Sequence, residues 1–183
     1  MIHPPTLYLG LVGWSVPFAF VVAALVTGRL GDEWIRAARR FTIFAWIALA
    51  VGKVLGMVWS YEELGWGGYW AWDPVEKAAC LPWFTAGAFV HSTMIQERRN
   101  MMKFWNVLLI CITFFLTIFG TFLTRAGIIV SVHSFAQSDI GKYFMGFMAL
   151  ILATSAGLIV WRLPLLRSKA QIEAVASREA MFL

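Results

Sequence analysis

Charge is scarce in this chain of 183 residues. Asp, Glu, Lys and Arg make up 14% of it, against ~25% in an average soluble domain. With 15 Phe and 10 Trp present, disorder, collagen and a coiled coil are excluded. Cysteine is scarcer still. Cys80 and Cys111 are the two in the chain, with no CxxC and no CxxCH. A disulfide scaffold, a zinc ribbon, a thioredoxin-type centre and an attached c-type haem are therefore not encoded. A Walker loop, a dinucleotide fingerprint, HExxH and a nucleophile elbow are missing too, as is an Asp–His–Ser grouping that would support hydrolysis. The opening MIHPP carries no positive charge, and no small-x-small site follows it. It does not read as a cleavable leader, so the first apolar run is expected to stay in the protein.

Apolar residues are abundant. They make up 60% of the chain, and mean hydropathy is +0.73. This is the composition of a multi-pass membrane protein. About 20 residues of helix cross ~30 Å of hydrocarbon. Five stretches approach that length, at 7–27, 41–60, 79–95, 104–124 and 143–161. The third is the shortest, with Pro82 near its start and His91 inside it. The expected fold class is all-α, a polytopic membrane bundle of about five helices occupying 1–167. Residues 168–183 are expected to form a cytoplasmic tail or a connection to further spans.

The basic residues orient these spans. Eleven of the fifteen lie after spans one, three and five, among them Arg36, Arg39, Arg98 and Arg167. The positive-inside rule puts that side in the cytoplasm. The N-terminus, the 61–77 loop and the loop carrying Arg125–Lys142 then face outward. The net charge of +5 is accounted for by the inner side. The 61–77 loop has only Lys77, so nucleic acid is not an expected partner.

That loop reads YEELGWGGYWAWDPVEK. An aromatic belt at headgroup level is its plain explanation. However, Trp66, Trp70 and Trp72 stand very close together, with Tyr69 beside them. Gly65, Gly67 and Gly68 would let backbone approach a flat object. Such a wall, poor in charge, suits a large planar and partly apolar ligand, such as haem or a quinone. Asp73 with Glu76 three residues on has capping-box spacing and is expected to start a helix.

Three histidines are present. His3 and His133 both fall on the outward side, where two imidazoles could hold a haem iron from opposite faces. His91 lies inside the third span. It is either a functional group or a neutral side chain bonded to a neighbouring helix. Lys53, inside the second span, either snorkels or meets an acidic group such as a propionate. Arg125 is either an interfacial arginine or a clamp for an anionic group. Gly120, Thr121 and Ser92 would allow close helix contact.

WGGYWAWDPVE resembles the tryptophan-rich WWD signature of the haem-handling proteins of cytochrome c maturation. HPPTLYLGLVGWSVPFAF, WSYEELGWGGYWAWDPVEKAACLPW and GTFLTRAGIIVSVHSFA, in that order, resemble the central blocks of the CcmF family. NrfE relatives are close, whereas CcmC- and CcsA-type proteins match the surrounding blocks less well. Tyr69 and Ala71 stand where that family usually has other aromatics, Lys77 where it has Asn, and Ala126 where it has Ser.

The resemblance implies a haem-binding loop built from Trp66, Gly67, Gly68, Tyr69, Trp70, Trp72 and Asp73, with Arg125 nearby. It implies haem b at the outward face with His3 and His133 as axial ligands. It also implies a second, embedded haem at His91, whose other histidine lies outside this sequence. The implied task is to take haem from a CcmE-type chaperone and join it through thioethers to apocytochrome c, with a CcmH-type partner presenting the thiols. Separately encoded CcmF pieces are further implied partners, and the bacterial inner membrane, or an organellar one, is the implied location. No residue here is expected to be a nucleophile, because the substrate brings its own thiol. Haem relay without ligation is the alternative, and so is a piece that works only with the rest of a longer protein.

Overall fold

A computed structural model describes residues 2–65, 68–129 and 139–167. These form six helices: α1 (His3–Gly13), α2 (Ser15–Thr27), α3 (Glu33–Glu63), α4 (Pro74–Arg99), α5 (Lys103–Arg125) and α6 (Ile140–Leu166). No strand occurs among the described residues. Residues 168–183 and His133 lie outside them, as do Trp66 and Gly67 of the tryptophan-rich loop.

The chain is an all-α polytopic membrane bundle. Among the described residues four segments are long and apolar enough to cross a bilayer: His3–Thr27, Glu33–Glu63, Lys103–Arg125 and Ile140–Leu166. The first is broken at Trp14, because Pro17 has no N–H to give the carbonyl of Gly13. The Trp14 N–H turns to Leu11 O instead, at 3.4 Å. The third expected span corresponds to α4. It is long enough, but Pro82, Trp83, His91, Ser92 and Thr93 make its uncharged middle less apolar than the other four segments.

The helices outrun the apolar stretches. α3 has 31 residues, about 46 Å at 1.5 Å per residue, where 41–60 was expected. Hydropathy marks the membrane-crossing part of a helix, whereas caps and breakers mark its ends. α3 begins after Gly31-Asp32, with Glu33 in its first turn, where a negative charge favours the helix dipole. α4 begins at a complete capping box.

Packing is antiparallel between α1 and α3, α3 and α4, α4 and α5, and α5 and α6, with α2 set against α3, α5 and α6. The apolar core gathers Trp14, Val21, Leu25, Leu49, Phe89 and Ile110. α1 lies directly against the backbone of α3. A Cβ added at Gly10 would sit 2.6 Å from Leu49 N, and one at Gly52 would sit 2.7 Å from Leu7 N.

The bundle thus has two ends. One carries His3, the α3–α4 loop, Arg125 and the start of α6. The other carries Thr27, Glu33, Arg99, Lys103 and Leu166. At this second end Arg162 donates to Leu25 O and Val26 O, both at 2.8 Å, covering the carbonyls left open where α2 stops at Gly28.

Candidate functional site

His3 opens α1, and its position is dictated by the glycines of α3. A Cβ at Gly56 would fall 2.5 Å from His3 Cε1, so only glycine leaves room for the imidazole. Nδ1 lies 2.7 Å from Gly52 O. A carbonyl oxygen only accepts, so Nδ1 carries the hydrogen. In the neutral ring Nε2 is then left with the lone pair. Trp59 stacks on the ring at 6.2 Å between centroids and 17° between planes. A histidine locked by a backbone carbonyl on one nitrogen is how metal-ligating imidazoles are usually held.

The described part of the tryptophan-rich loop folds against this histidine. Ser60 Oγ donates to Gly68 O at 3.2 Å, and Tyr69 stacks on Tyr61 at 4.5 Å and 11°. Trp70 is half-buried, with Trp72 edge-on to it at 6.2 Å. Trp72 sits at φ 59, a left-handed conformation unusual for a bulky residue, and its side chain is 70% exposed. Glu76 Oε2 accepts from the N–H groups of Ala71 and Asp73, at 3.1 and 3.3 Å, and Asp73 Oδ2 accepts from Val75 N at 3.1 Å. The expected capping box is present, and it fixes residues 71–73 to the start of α4.

Between these elements lies a cavity of about 80 Å³, lined by His3, Lys53, Ser60, Tyr69, Trp70 and Glu76 among others. Sites that enclose whole drug-sized ligands have ~300–1,000 Å³. This cavity therefore takes a small group and not a macrocycle. Flat aromatic surface is exposed instead on Tyr69 and Trp72. Lys53 Nζ is buried without a hydrogen-bond partner among the described residues, 5.1 Å from the centre of the Trp83 ring.

Other expected site residues lie elsewhere. Arg125 is exposed at the end of α5 and is not among the residues lining the cavity. His91 is not buried, as its apolar surroundings in sequence had suggested: its side chain faces outward from the bundle. Seventeen residues of α4 separate it from the helix start, about 25 Å. It therefore does not converge with His3. Among the described residues no group of three or more His, Cys, Asp or Glu could hold a metal ion.

Sequence reasoning missed Gly52 and Gly56. The G-x-x-x-G in the second apolar run was the available signal. It also missed Asn106, which is fully buried. Its Nδ2 donates to Gln96 Oε1 at 2.8 Å, Ser92 Oγ donates to its Oδ1, and Gln96 reaches Asp32 at 3.5 Å.

Comparison with known proteins follows the same division of the chain. A family model described as Cytochrome C assembly protein matches residues 1–130. The chain is 45% identical over 184 residues to the cytochrome c-type biogenesis protein CcmF of Pseudomonas aeruginosa, a match covering 100% of this chain and 28% of that protein. It is 46% identical over 182 residues to CcmF of Escherichia coli K12, covering 99% and 28%. NrfE of Haemophilus influenzae is 38% identical over 154 residues, covering 84% and 24%. A solved structure of the cytochrome c heme lyase CcmF superposes with a TM-score of 0.78 at 40% identity, over 99% of this chain and 27% of that one. The chain spans a little over a quarter of the length of these CcmF relatives.

Proposed function

The chain belongs to the cytochrome C assembly protein family, and from that premise we propose that it binds haem at the loop end of its bundle and presents it for covalent attachment to apocytochrome c. The observation that carries this reading is the His3 imidazole. Its Nδ1 is held by Gly52 O, its ring is seated over Gly56, and the tryptophan-rich loop folds beside it.

The residues divide the work. His3 Nε2 would hold the haem iron from this chain, with His133 as a second donor. Tyr69, Trp70 and Trp72 offer ring faces and edges to the porphyrin, and Gly68 belongs to the same loop, as do Trp66 and Gly67 outside the described residues. Asp73 and Glu76 hold the loop at the helix start. Arg125 meets an anionic group at the rim. Haem supplies the vinyl groups, across which apocytochrome thiols add to form thioethers, each S–H hydrogen passing to the vinyl carbon. The protein holds the reactants in place, and none of its side chains is a nucleophile in this scheme.

α4 serves as the fifth crossing, its charged residues placed at the two interfaces. The N-terminus and the loop then face the periplasm of an inner membrane. His91, facing outward from the described bundle, is available to an embedded haem whose second ligand comes from another segment. A CcmE-type chaperone delivers the haem, and a CcmH-type partner brings apocytochrome c.

The test is a reduced-minus-oxidised visible spectrum, with pyridine haemochrome, of the purified detergent-solubilised chain. Haem is expected in the parent and lost in His3→Ala and His133→Ala. A spectrum unchanged by His3→Ala would overturn the assignment.

A further inference from the structure

We propose that Lys53 supplies the counter-charge for a carboxylate arm of the ligand held at His3. The inference rests on the haem-binding reading above and names which part of haem enters the cavity.

Three observations converge on it. First, the cavity is the wrong size for a porphyrin and the right size for a side arm, at about 80 Å³. A macrocycle lying on the exposed rings of Tyr69 and Trp72 would reach into it only by a substituent. Second, the cavity contains a cation, Lys53, that forms no ion pair among the described residues. Lys53 Nζ is buried and has no hydrogen-bond partner among the described residues. Its described neighbours are the face of Trp83, at 5.1 Å, and the Cys80 thiol, contacts weaker than an ion pair with a carboxylate. The nearest acid lining the cavity is Glu76, and its Oε2 is already committed to the Ala71 and Asp73 N–H groups. Third, Lys53 follows directly in sequence the glycine that holds His3. The metal-facing nitrogen and the cation are thus set by adjacent residues of one rigid helix.

A buried ammonium inside a membrane span is costly unless paired. A ligand that brings its own carboxylate removes that cost, and a charge-assisted bond in a site shielded from water is strong. Of the planar ligands that the aromatic surface accepts, a quinone has no carboxylate and haem has two. Lys53 is therefore a specificity residue that favours haem over uncharged flat ligands.

The experiment uses the full chain in detergent, titrated with iron protoporphyrin IX and with its dimethyl ester. The two differ only in whether the carboxylates are free, and Soret absorbance reads both. The parent is expected to bind the free acid about tenfold more tightly than the ester, the size of one charged hydrogen bond. Lys53→Met should close that gap, and Lys53→Arg should keep it. Equal affinity of the parent for acid and ester overturns the proposal, as does a gap that survives Lys53→Met. His3→Ala separates the two levels of inference. If His3→Ala binds both porphyrins as the parent does, the haem-site reading itself fails. If His3→Ala loses both while Lys53→Met keeps the gap, only the role of Lys53 fails. A circular dichroism spectrum of each variant identifies any that has not folded.

Discussion

The imidazole of His3 hangs from the carbonyl of Gly52, Nδ1 to oxygen at 2.7 Å, across 49 residues of sequence. That single bond sets the tautomer and ties the start of α1 to the middle of α3. It exists because α3 has no side chain at positions 52 and 56.

Filling Gly56 should therefore disturb the site before it disturbs the fold, whereas filling Gly52 should disturb both. In Gly56→Val the new atoms meet His3 Cε1, where even a Cβ would be 2.5 Å away. Haem affinity should fall ~10–100-fold, the usual effect of losing a group that orients a ligand, with helix content unchanged. Gly52→Ala presses on the backbone of Leu7 and should cost ~1–3 kcal/mol of stability as well. Soret titration with circular dichroism checks both.

Removing the carboxylate of Glu76 unties residues 71–73. Glu76→Ala should cost ~1 kcal/mol at the start of α4, raise protease cleavage in the loop and lower haem affinity. Glu76→Gln keeps an acceptor oxygen and should recover most of the loss. Limited proteolysis read by mass spectrometry tests this, and cleavage that does not change would sink it.

His91 should be independent of the site at His3. It lies about 25 Å along α4 from the loop and faces away from the bundle. Groups that far apart with no shared partner act additively. His91→Ala should leave the His3-dependent absorbance intact. A simultaneous loss would show that the two sites communicate.

Asn106 joins α4 to α5 through Ser92 and Gln96. Asn106→Leu leaves those groups unsatisfied in an apolar core. The expected cost is ~1–2 kcal/mol, since interhelical bonds in membranes are worth less than their burial suggests. Adding Gln96→Leu should cost less than the sum of the two, because the second change removes an orphan the first created. Thermal unfolding in detergent measures both.

Arg162 covers the last carbonyls of α2 with two bonds at 2.8 Å. Arg162→Ala should lower stability by ~1–2 kcal/mol. Arg162→Lys should restore only part of it, since an ammonium lacks the planar fork that spans two oxygens. The same unfolding assay ranks the three proteins.

The class of this protein and the start of α4 were determined by the sequence alone. Apolar runs of bilayer length force helices, because backbone groups in lipid must be satisfied within the segment. The Asp73–Glu76 spacing makes a cap by local geometry. Helix ends were less legible, because hydropathy reports the lipid boundary and α3 continues past it on both sides. The tertiary structure decided what depends on which side chains meet. It put Gly52 and Gly56 beneath His3 and turned Lys53 into the cavity, where the sequence left its role open. It sent His91 outward although its neighbours in sequence are apolar. The reason is that hydropathy along one helix does not say which face meets protein and which meets lipid or another segment. Only the approach of a second helix distinguishes them.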